Sequence, residues 1–176
     1  VLGTTSYGDI LKAICEAMEG KHFQEFKDID YLPEKLGKRV LTTGRHFGYL
    51  KIAEGCDKHC TYCIIPKLRG KFRSVPMERL VTQAKEMAEE GVKELILVAQ
   101  ETTVYGTDIY GKKSLHILLK ELCKIKGIRW IRVLYCYPEE IYDELIQTMK
   151  EEKKICHYLD LPIQHASDRI LKRMGR

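Results

Sequence analysis

The stretch PMERLVTQAKEMAEEGVKELILVA, residues 76–99, decides the fold class. Its first part repeats apolar residues at helical spacing, with proline at the start and Gly91 where a helix would stop. Its last part, residues 94–99, is an apolar run of strand length. We predict a helix over residues 76–90 that leads directly into a strand. The helix would pack through Leu80, Ala84, Met87 and Ala88.

The same alternation of strand and helix continues on both sides of this unit. We predict further strands at residues 49–53, 130–135 and 158–161. Further helices are predicted after Ser114, from Pro138 to about Met149, and from Ser167 onward. Alternating elements of this length imply right-handed crossovers and a parallel sheet covered by helices. The predicted class is α/β, and four strands leave the sheet open, since a closed eight-stranded barrel needs about 250 residues.

The pattern before the first strand is different. Residues 9–19 carry apolar residues at helical spacing and predict a short amphipathic helix. Residues 21–47 lose this period, which predicts a linker with one short strand near Val40. We therefore divide the chain into residues 1–44, the remnant of an N-terminal domain with its linker, and residues 45–176, a truncated α/β domain. The chain ends inside its last helix, so we expect a piece of a longer protein.

Composition excludes several classes of protein. With 44% hydrophobic and 31% charged residues among 176, the chain is neither disordered nor a disulfide-stapled mini-protein. No apolar run approaches the roughly 18 residues of a membrane span, so we expect no membrane partner. No secretory signal pattern is present, and we expect a cytoplasmic location. The net charge of +5 permits a nucleic-acid or ribosomal partner without requiring one.

Three of the seven cysteines lie in the loop C-D-K-H-C-T-Y-C, residues 56–63. Without an export signal, this crowding favours metal or redox chemistry over disulfides. Thiolates suit iron-sulfur clusters, and a 4Fe-4S cluster held by Cys56, Cys60 and Cys63 would keep one iron open. An open iron binds a small ligand through an amine and a carboxylate, which the methionine moiety of S-adenosylmethionine offers.

A zinc knuckle is the structural alternative for this loop. Zinc prefers four ligands in paired spacing, whereas His59 adjoins Cys60 and His46 precedes a strand. The spacing therefore favours an iron-sulfur cluster.

From about Phe47 to Arg176 the sequence resembles the radical S-adenosylmethionine enzymes, and within them the methylthiotransferases. Tyr62 matches the aromatic residue that precedes the third cysteine in that superfamily. The run YLKIAEGCDKHCTYCIIPKLRG, residues 49–70, is similar to the methylthiotransferase form of the loop, and residues 3–10 resemble the end of their N-terminal domain.

Two other segments of the sequence distinguish between the branches of this family, which differ in their substrates. VAQETTVYG, residues 98–106, and YLDLPIQHASDRILKRM, residues 158–174, are similar to the branch that modifies an aspartate of a small-subunit ribosomal protein. The branch that modifies tRNA adenosine usually has an Asn-rich stretch after the second strand, and Ser-Gly where this chain has His165-Ala166. One departure from the family is Val75, where relatives commonly carry a second arginine after Arg73-Ser74. This difference would alter substrate or cofactor contacts in the loop.

The resemblance implies a partial (β/α) barrel of the radical-SAM type. It implies that Cys56, Cys60 and Cys63 hold the cluster and that a reduced cluster cleaves S-adenosylmethionine to a 5'-deoxyadenosyl radical. The radical takes hydrogen from the β-carbon of the target aspartate, and a methylthio group is then inserted. An auxiliary 4Fe-4S cluster would supply the sulfur, and its ligands are absent from this chain.

The implied partners are the aspartate-bearing loop of the ribosomal protein and an electron donor such as flavodoxin or ferredoxin. Nucleic acid enters only through the ribosome, or as the substrate if the tRNA alternative is correct. We expect this chain alone to bind a cluster without completing the reaction. The alternative from another class is a non-catalytic binding module stabilised by a metal.

Two residues near the loop are candidates for cofactor contacts. By resemblance, Tyr62 lies near the adenine, or else packs within the loop. Gln100 follows the second strand where the superfamily usually binds the methionine amino group, or else caps its loop. No catalytic residue is assigned.

Two further candidates lie on later strands. Arg132 is a charge inside a strand, so it meets either the carboxylate of the cofactor or a structural partner such as Asp160. Gln164 and His165 follow the fourth strand and are candidates for ribose or substrate contacts, although a lone histidine there is more often hydrogen-bonded structure. The basic stretch Lys67, Arg69, Lys71 and Arg73 is either a solvated loop or a docking surface for an acidic partner.

Overall fold

The main sheet has four parallel strands in the order in which they occur along the chain. The computed structural model describes residues 1–31, 42, 44 and 46–176. The four strands are β1 (Phe47–Lys51), β4 (Glu94–Val98), β5 (Trp130–Val133) and β6 (Ile155–Leu159). A separate antiparallel pair consists of β2 (Ala53–Glu54) and β3 (Arg73–Ser74).

Seven α-helices occur in the described part of the chain. They are α1 (Ile10–Met18), α2 (Ile65–Arg69), α3 (Met77–Glu89), α4 (Thr107–Tyr110), α5 (Leu115–Cys123), α6 (Asp143–Glu151) and α7 (Asp168–Met174). Two short 3-10 turns cover Tyr7–Asp9 and Pro138–Glu140. None of the described helices is both long and apolar enough to cross a bilayer.

The strand order is the one that consecutive strands have in (β/α) barrels. The neighbours are β1 with β4, β4 with β5 and β5 with β6, all parallel. Each crossover therefore steps in the same direction, as in (β/α) barrels, whereas a doubly wound sheet reverses its order. This arrangement brings the carboxyl ends of all four strands to one edge of the sheet.

The hydrophobic core lies on one face of the sheet, under the helices. In β4, Leu95 and Leu97 are fully buried, whereas the alternate residues Ile96 and Val98 are only half-buried. Helices α3, α5 and α6 cover this face. They contribute the fully or nearly fully buried Leu80, Ala84, Met87, Leu118, Leu119, Leu122 and Leu145. Burial of each leucine stabilises the fold by about 1.5–3 kcal/mol.

The structure confirms the α/β class and the parallel sheet. The helix predicted at residues 76–90 is α3, and the strand predicted at 94–99 is β4. The fourth strand begins earlier than predicted, at Ile155, and ends at Leu159. The short elements α2, α4, β2 and β3 were not predicted, because they are too brief to show a period.

The N-terminal predictions have mixed outcomes. The amphipathic helix is present as α1, but its apolar residues Leu11 and Met18 are exposed. The strand predicted near Val40 lies outside the described residues. The division of the chain at residue 45 stays a prediction.

Candidate functional site

A cavity of about 430 Å³ opens where β1, β4 and β5 end. It is lined by Lys51, Cys56, Cys63, Ile65, Val98, Ala99, Gln100, Tyr135 and Tyr137. Parallel α/β folds place their ligands at this edge of the sheet. The volume lies within the range of about 300–1,000 Å³ that is typical of small-molecule sites.

The cysteine loop forms part of the cavity wall. Cys56 and Cys63 line the cavity, while Cys60 is buried beside them and Cys63 is exposed. A turn joins the last two, because the amide of Cys63 donates to the carbonyl of Cys60 at 3.0 Å. Burial raises the pKa of the Cys56 thiol, and negative charge on Glu101, Cys60 and Cys63 raises it further. The other two sulfurs of the loop therefore act electrostatically on Cys56.

The loop presents a donor set that fits an iron-sulfur cluster. In the part of the chain that the structure describes, no three His, Cys, Asp or Glu side chains are gathered to hold one metal ion. A cubane binds each cysteine through a different iron, so its ligands need not meet at one point. Three free thiols on one loop, two of them facing a cavity, match that requirement.

An ion network anchors the cysteine loop to the end of β5. The Lys58 ammonium lies 2.5 Å from Oε1 of Glu140 and 3.8 Å from Glu139. Lys113 approaches the other carboxylate oxygen of Glu140 at 2.9 Å. These groups are only about a fifth to a half exposed, so the network holds the loop more firmly than surface pairs do.

Gln100 is a cavity-lining residue with a free acceptor. Its Nε2 lies 3.4 Å from Oε1 of Glu54. Its Oε1 is buried and has no hydrogen-bond partner among the described residues. A buried carbonyl oxygen without a donor is costly, and a ligand amino group would satisfy it. The predicted contact with the methionine amino group thus has a suitable atom, and it stays a prediction.

Tyr62 does not line the cavity. Its side chain is 53% exposed. Burial raises the pKa of Tyr62, and the nearby Cys60 raises it further. The Tyr62 side chain therefore lies near Cys60 of its own loop. Its contact with adenine stays a prediction.

Arg132 has a different structural partner from the one suggested by sequence. Its Nε donates to Oε1 of Glu94 at 2.6 Å, and its guanidinium lies 5.2 Å from the centroid of the Tyr158 ring. The alternative partner, Asp160, instead accepts a hydrogen bond from the Tyr135 amide. The suggested pairing with Asp160 was wrong because strand register puts Glu94 on the adjacent strand, diagonal to Arg132. The cofactor contact of Arg132 stays a prediction.

Gln164 and His165 are exposed and are not among the residues that line the cavity. Gln164 has a φ of +62°, a conformation that is unusual for residues other than glycine and is found at functional sites. Nδ1 of His165 accepts a hydrogen bond from the Ser167 amide at 2.9 Å. This hydrogen bond agrees with the structural alternative for His165, and contacts of His165 or Gln164 with ribose or substrate stay predictions.

Glu101 is a buried carboxylate, next in sequence to the cavity residue Gln100, to which sequence reasoning gave no role. It is 1% exposed, and its Oε1 accepts hydrogen bonds from the hydroxyl and amide of Thr103 and from the amide of Tyr137. Its Oε2 is buried and has no partner in the described part of the chain. Burial raises the pKa of Glu101. The sequence signal that could have identified Glu101 is its position just after the end of a predicted strand.

Tyr135 and Tyr137 are two further cavity residues that sequence reasoning missed. Both follow β5, and Tyr135 has a φ of +59°. Backbone strain of this kind is stored at functional sites when the surrounding structure enforces it. No sequence pattern reports a positive φ at a tyrosine.

Residues 105–108, which follow β4, form hydrogen bonds with residues 74–75, which follow the cysteine loop. The Tyr105 hydroxyl donates to the Val75 carbonyl at 2.8 Å, and Asp108 accepts from the amide and hydroxyl of Ser74. Val75 is 9% exposed and belongs to the core. At the position where we expected relatives to carry an arginine, this chain has a side chain packed in the core.

The family model that describes the radical SAM superfamily matches residues 50–176. Curated relatives are similar over the whole chain. The ribosomal protein uS12 methylthiotransferase RimO of Lachnoclostridium phytofermentans is 67% identical over 176 residues, and that of Clostridium botulinum is 57% identical over 178. The chain covers 40% of the length of each of these relatives.

Solved structures support the fold. The radical S-adenosylmethionine methyltransferase TsrM from Kitasatospora setae matches 72% of this chain and 23% of its own, with a TM-score of 0.58. At 16% sequence identity the likeness concerns the fold alone. A second TsrM structure, with cobalamin and a 4Fe-4S cluster bound, gives a TM-score of 0.57.

Proposed function

Because this chain belongs to the radical SAM superfamily, we propose that the protein containing it methylthiolates an aspartate of ribosomal protein uS12. The observation that carries the radical chemistry is the three-cysteine loop on the wall of a cavity at the strand ends. The choice of substrate is supported by the 67% identity to a RimO protein. The chain spans less than half of that relative, so the complete reaction belongs to the longer protein.

The proposed cofactors are a 4Fe-4S cluster with one open iron and S-adenosylmethionine. When bound, they supply a one-electron reduction and the abstraction of a hydrogen atom from carbon. Cys56, Cys60 and Cys63 would hold the cluster as thiolates. Each of the three thiols loses its proton when iron binds, as is general for thiolate ligands.

The chain's own residues would orient the cofactor and exclude water. The buried Oε1 of Gln100 would accept a hydrogen bond from the amino group of the methionine moiety. The apolar side chains of Ile65, Val98 and Ala99 would keep water from the cavity wall. Tyr62 would contact the adenine, and Arg132 and Gln164 complete the proposed set of cofactor contacts.

The proposed macromolecular partners fit the charge of the loop region. Lys67 and Lys71 are exposed next to the cysteine loop, whereas Arg73 is paired with Asp30 at 3.0 Å. An acidic electron donor of the flavodoxin or ferredoxin class would find free cations there. The aspartate-bearing loop of uS12 would enter at the cavity, and nucleic acid would be met through the ribosome. We place this activity in the cytoplasm.

The sulfur source is proposed to be a second, auxiliary 4Fe-4S cluster whose ligands lie elsewhere in the longer protein. This assignment leaves the present chain with one task, the generation of the substrate radical.

The test uses the full-length protein that contains this chain, reconstituted anaerobically with iron and sulfide. Purified uS12 or bulk tRNA is incubated with it, a reductant and S-adenosylmethionine. We expect mass spectrometry to show a methylthio group on uS12 and none on tRNA. Cys60→Ala should abolish the product and remove the cluster that responds to S-adenosylmethionine, while Cys123→Ala, outside the loop, should retain both.

Three results would contradict the proposal. A methylthio group found on tRNA adenosine alone would replace uS12 by the other substrate of the family. Bound zinc with no iron, and no response to S-adenosylmethionine, would leave a metal-stabilised binding module. A product formed by Cys60→Ala would remove the loop from the chemistry.

A further inference from the structure

A carboxylate from the N-terminal part of the chain reaches the segment that follows the cysteine loop. Oδ1 of Asp30 accepts hydrogen bonds from the Lys71 amide at 2.8 Å and from Nη1 of Arg73 at 3.0 Å. A Cβ on Gly70 would collide with the same oxygen, so the carboxylate lies directly against the backbone. Asp30 is 41 residues from Lys71 in the sequence, so tertiary packing brings them together. We call residues 69–73, which lead from the cysteine loop back to the sheet, the return segment.

Asp30 is itself held by the first residues of the chain. The Lys27 amide donates to the Ser6 hydroxyl at 3.0 Å, which ties the segment leading to Asp30 to residues 1–6. The Thr4 hydroxyl donates to the Leu68 carbonyl at 2.8 Å, close to the start of the return segment. The N-terminal residues therefore contact this side of the loop at two points, and Asp30 is one of them.

The return segment is hydrogen-bonded in turn to the residues around the first cysteine. The Cys56 amide donates to the Gly70 carbonyl at 3.2 Å, and the Phe72 amide donates to Oδ1 of Asp57 at 3.0 Å. Lys71, whose amide Asp30 accepts, lies between these two contacts. A displacement of Lys71 would therefore be transmitted to Cys56 through bonds on either side of it.

The cysteine loop has open space on both of its faces. A second cavity of about 540 Å³ lies between residues 29–30 and the loop, and Cys56, Asp57 and Lys71 are among the residues that line it. Cys56 also lines the cavity at the strand ends. A segment with few buried apolar contacts opens easily, so hydrogen bonds at its ends have a large share in fixing its position.

The contact of Asp30 is more than a surface ion pair. The Arg73 side chain is only 13% exposed, although that of Asp30 is 44% exposed. Arg73 also donates to the Arg69 carbonyl at 2.9 Å, within its own segment. An exposed ion pair contributes little and fixes no backbone, whereas this carboxylate accepts from a main-chain amide as well as from the guanidinium.

We propose that Asp30 is a positioning residue for the cluster. By holding the Lys71 amide and Arg73, it closes the far end of the cysteine loop and keeps the three thiols in the arrangement that retains the cluster. The identity of the cluster rests on the proposed function, whereas closure of the loop does not. Asp30 acts through the return segment and touches neither cluster nor cofactor. Docking of the N-terminal residues thereby becomes a condition for stable cluster binding.

The experiment compares the full-length protein with three variants. Asp30→Ala removes the acceptor, and Asp30→Asn keeps an oxygen that can accept from the Lys71 amide. Glu19→Ala is the matched control, because it removes an exposed ion pair with Lys21 in the same part of the chain and leaves the loop untouched. Since Asp30 is about half exposed, its truncation leaves no buried cavity and we expect the variant to fold.

The first measurement is amide hydrogen exchange of the cluster-free proteins, followed by mass spectrometry of peptides that cover residues 55–73. We expect exchange there to be roughly tenfold faster in Asp30→Ala, the factor that corresponds to losing one hydrogen bond to a charged group. Asp30→Asn and Glu19→Ala should stay close to wild type. A loss of global stability would instead accelerate exchange throughout the chain.

The second measurement uses the proteins reconstituted anaerobically with iron and sulfide. The relevant cluster is the one whose electron paramagnetic resonance spectrum changes when S-adenosylmethionine is added. We expect an iron chelator to remove this signal faster from Asp30→Ala, by a similar factor, and at the wild-type rate from Asp30→Asn and Glu19→Ala.

The outcomes separate this inference from the proposed function. Unchanged exchange in Asp30→Ala would show that its carboxylate does not close the loop. Faster exchange with an unchanged rate of cluster loss would overturn the positioning role, and so would an Asp30→Asn variant as labile as Asp30→Ala. A wild type that takes up no iron-sulfur cluster overturns the proposed function, and hydrogen exchange then decides loop closure by itself.

Discussion

Gly55 shows how a single residue shapes the site. It has a φ of +77°, and a Cβ there would lie 2.0 Å from the Lys71 carbonyl oxygen. The close approach lets the Cys56 amide donate to the Gly70 carbonyl, which closes the base of the cysteine loop. Backbone on both sides of the contact leaves no side chain to move aside.

Gly55→Ala should therefore destabilise the chain by more than the roughly 1 kcal/mol cost of a positive φ alone. Gly111→Ala is the matched control, because Gly111 has a φ of +69° with no neighbouring atom within 4 Å. Urea denaturation of both variants measures the difference in the free energy of unfolding. Equal losses in the two variants would mean that the loop base moves to accept the side chain.

A second residue-scale prediction concerns Tyr105, which is fully buried. Its hydroxyl donates to the Val75 carbonyl, and Tyr105→Phe would leave that carbonyl without this donor at a cost of about 1–3 kcal/mol. The control is Tyr110→Phe, which removes an exposed hydroxyl that accepts from the Met77 amide and should cost less. Thermal unfolding followed by circular dichroism compares them, and a larger loss in Tyr110→Phe would contradict the assignment.

At the scale of elements, two amphipathic helices have opposite environments. The four leucines of α5 are fully buried, whereas the large apolar residues of α1 are about half or more exposed. Truncation in a packed core costs the transfer energy and the cavity that is left, about 2–5 kcal/mol for leucine. Leu118→Ala should therefore destabilise the chain by that amount, while Leu11→Ala, 75% exposed in α1, should be nearly neutral. Urea denaturation distinguishes the two, and similar losses would show that α1 packs against something in solution.

At the scale of the whole molecule, the buried carboxylate of Glu101 and the partly exposed carboxylate of Glu140 give opposite responses to pH. Burial raises the pKa of Glu101, so its contribution to stability is present below the unfolded value and is lost as pH rises. Burial alone would raise the pKa of Glu140 too, but hydrogen bonds from Lys58 and Lys113 outweigh it and lower the pKa. The stability from Glu140 is therefore present above its unfolded pKa and is lost as pH falls.

The two Glu→Gln variants test these signs. Relative to wild type, Glu140→Gln should lose stability near neutral pH and approach wild type in acid. Glu101→Gln should gain stability near neutral pH, because it removes a buried carboxylate that must ionise without a full set of partners. Free energies of unfolding from pH 4 to pH 8 give both profiles. Parallel profiles for the two variants would show that the Lys58–Glu140–Lys113 network does not act on the fold.

Elements whose signal is local could be predicted from the order of residues alone. The helical period of α3, the apolar run of β4 and the spacing of Cys56, Cys60 and Cys63 each report a structure formed within a few residues. The ligand loop and the α/β class follow from such patterns, and so does the position of Gln100 after a strand. Cys56, Cys63 and Gln100 line the cavity, and Cys60 lies beside it. All four follow strand ends or lie in the cysteine loop, which are features that the sequence pattern predicts.

Contacts between side chains that are distant in sequence became known from the three-dimensional packing. Strand register pairs Arg132 with Glu94, and the docking of α7 brings Arg176 onto Tyr137. The strained backbone of Tyr135 and the exposure of α1 have the same origin in packing. No period along the chain encodes these contacts, because each depends on how separate elements are rotated and shifted against one another. The physical reason is that local conformation follows from neighbouring residues, whereas a site follows from the packing of the whole chain.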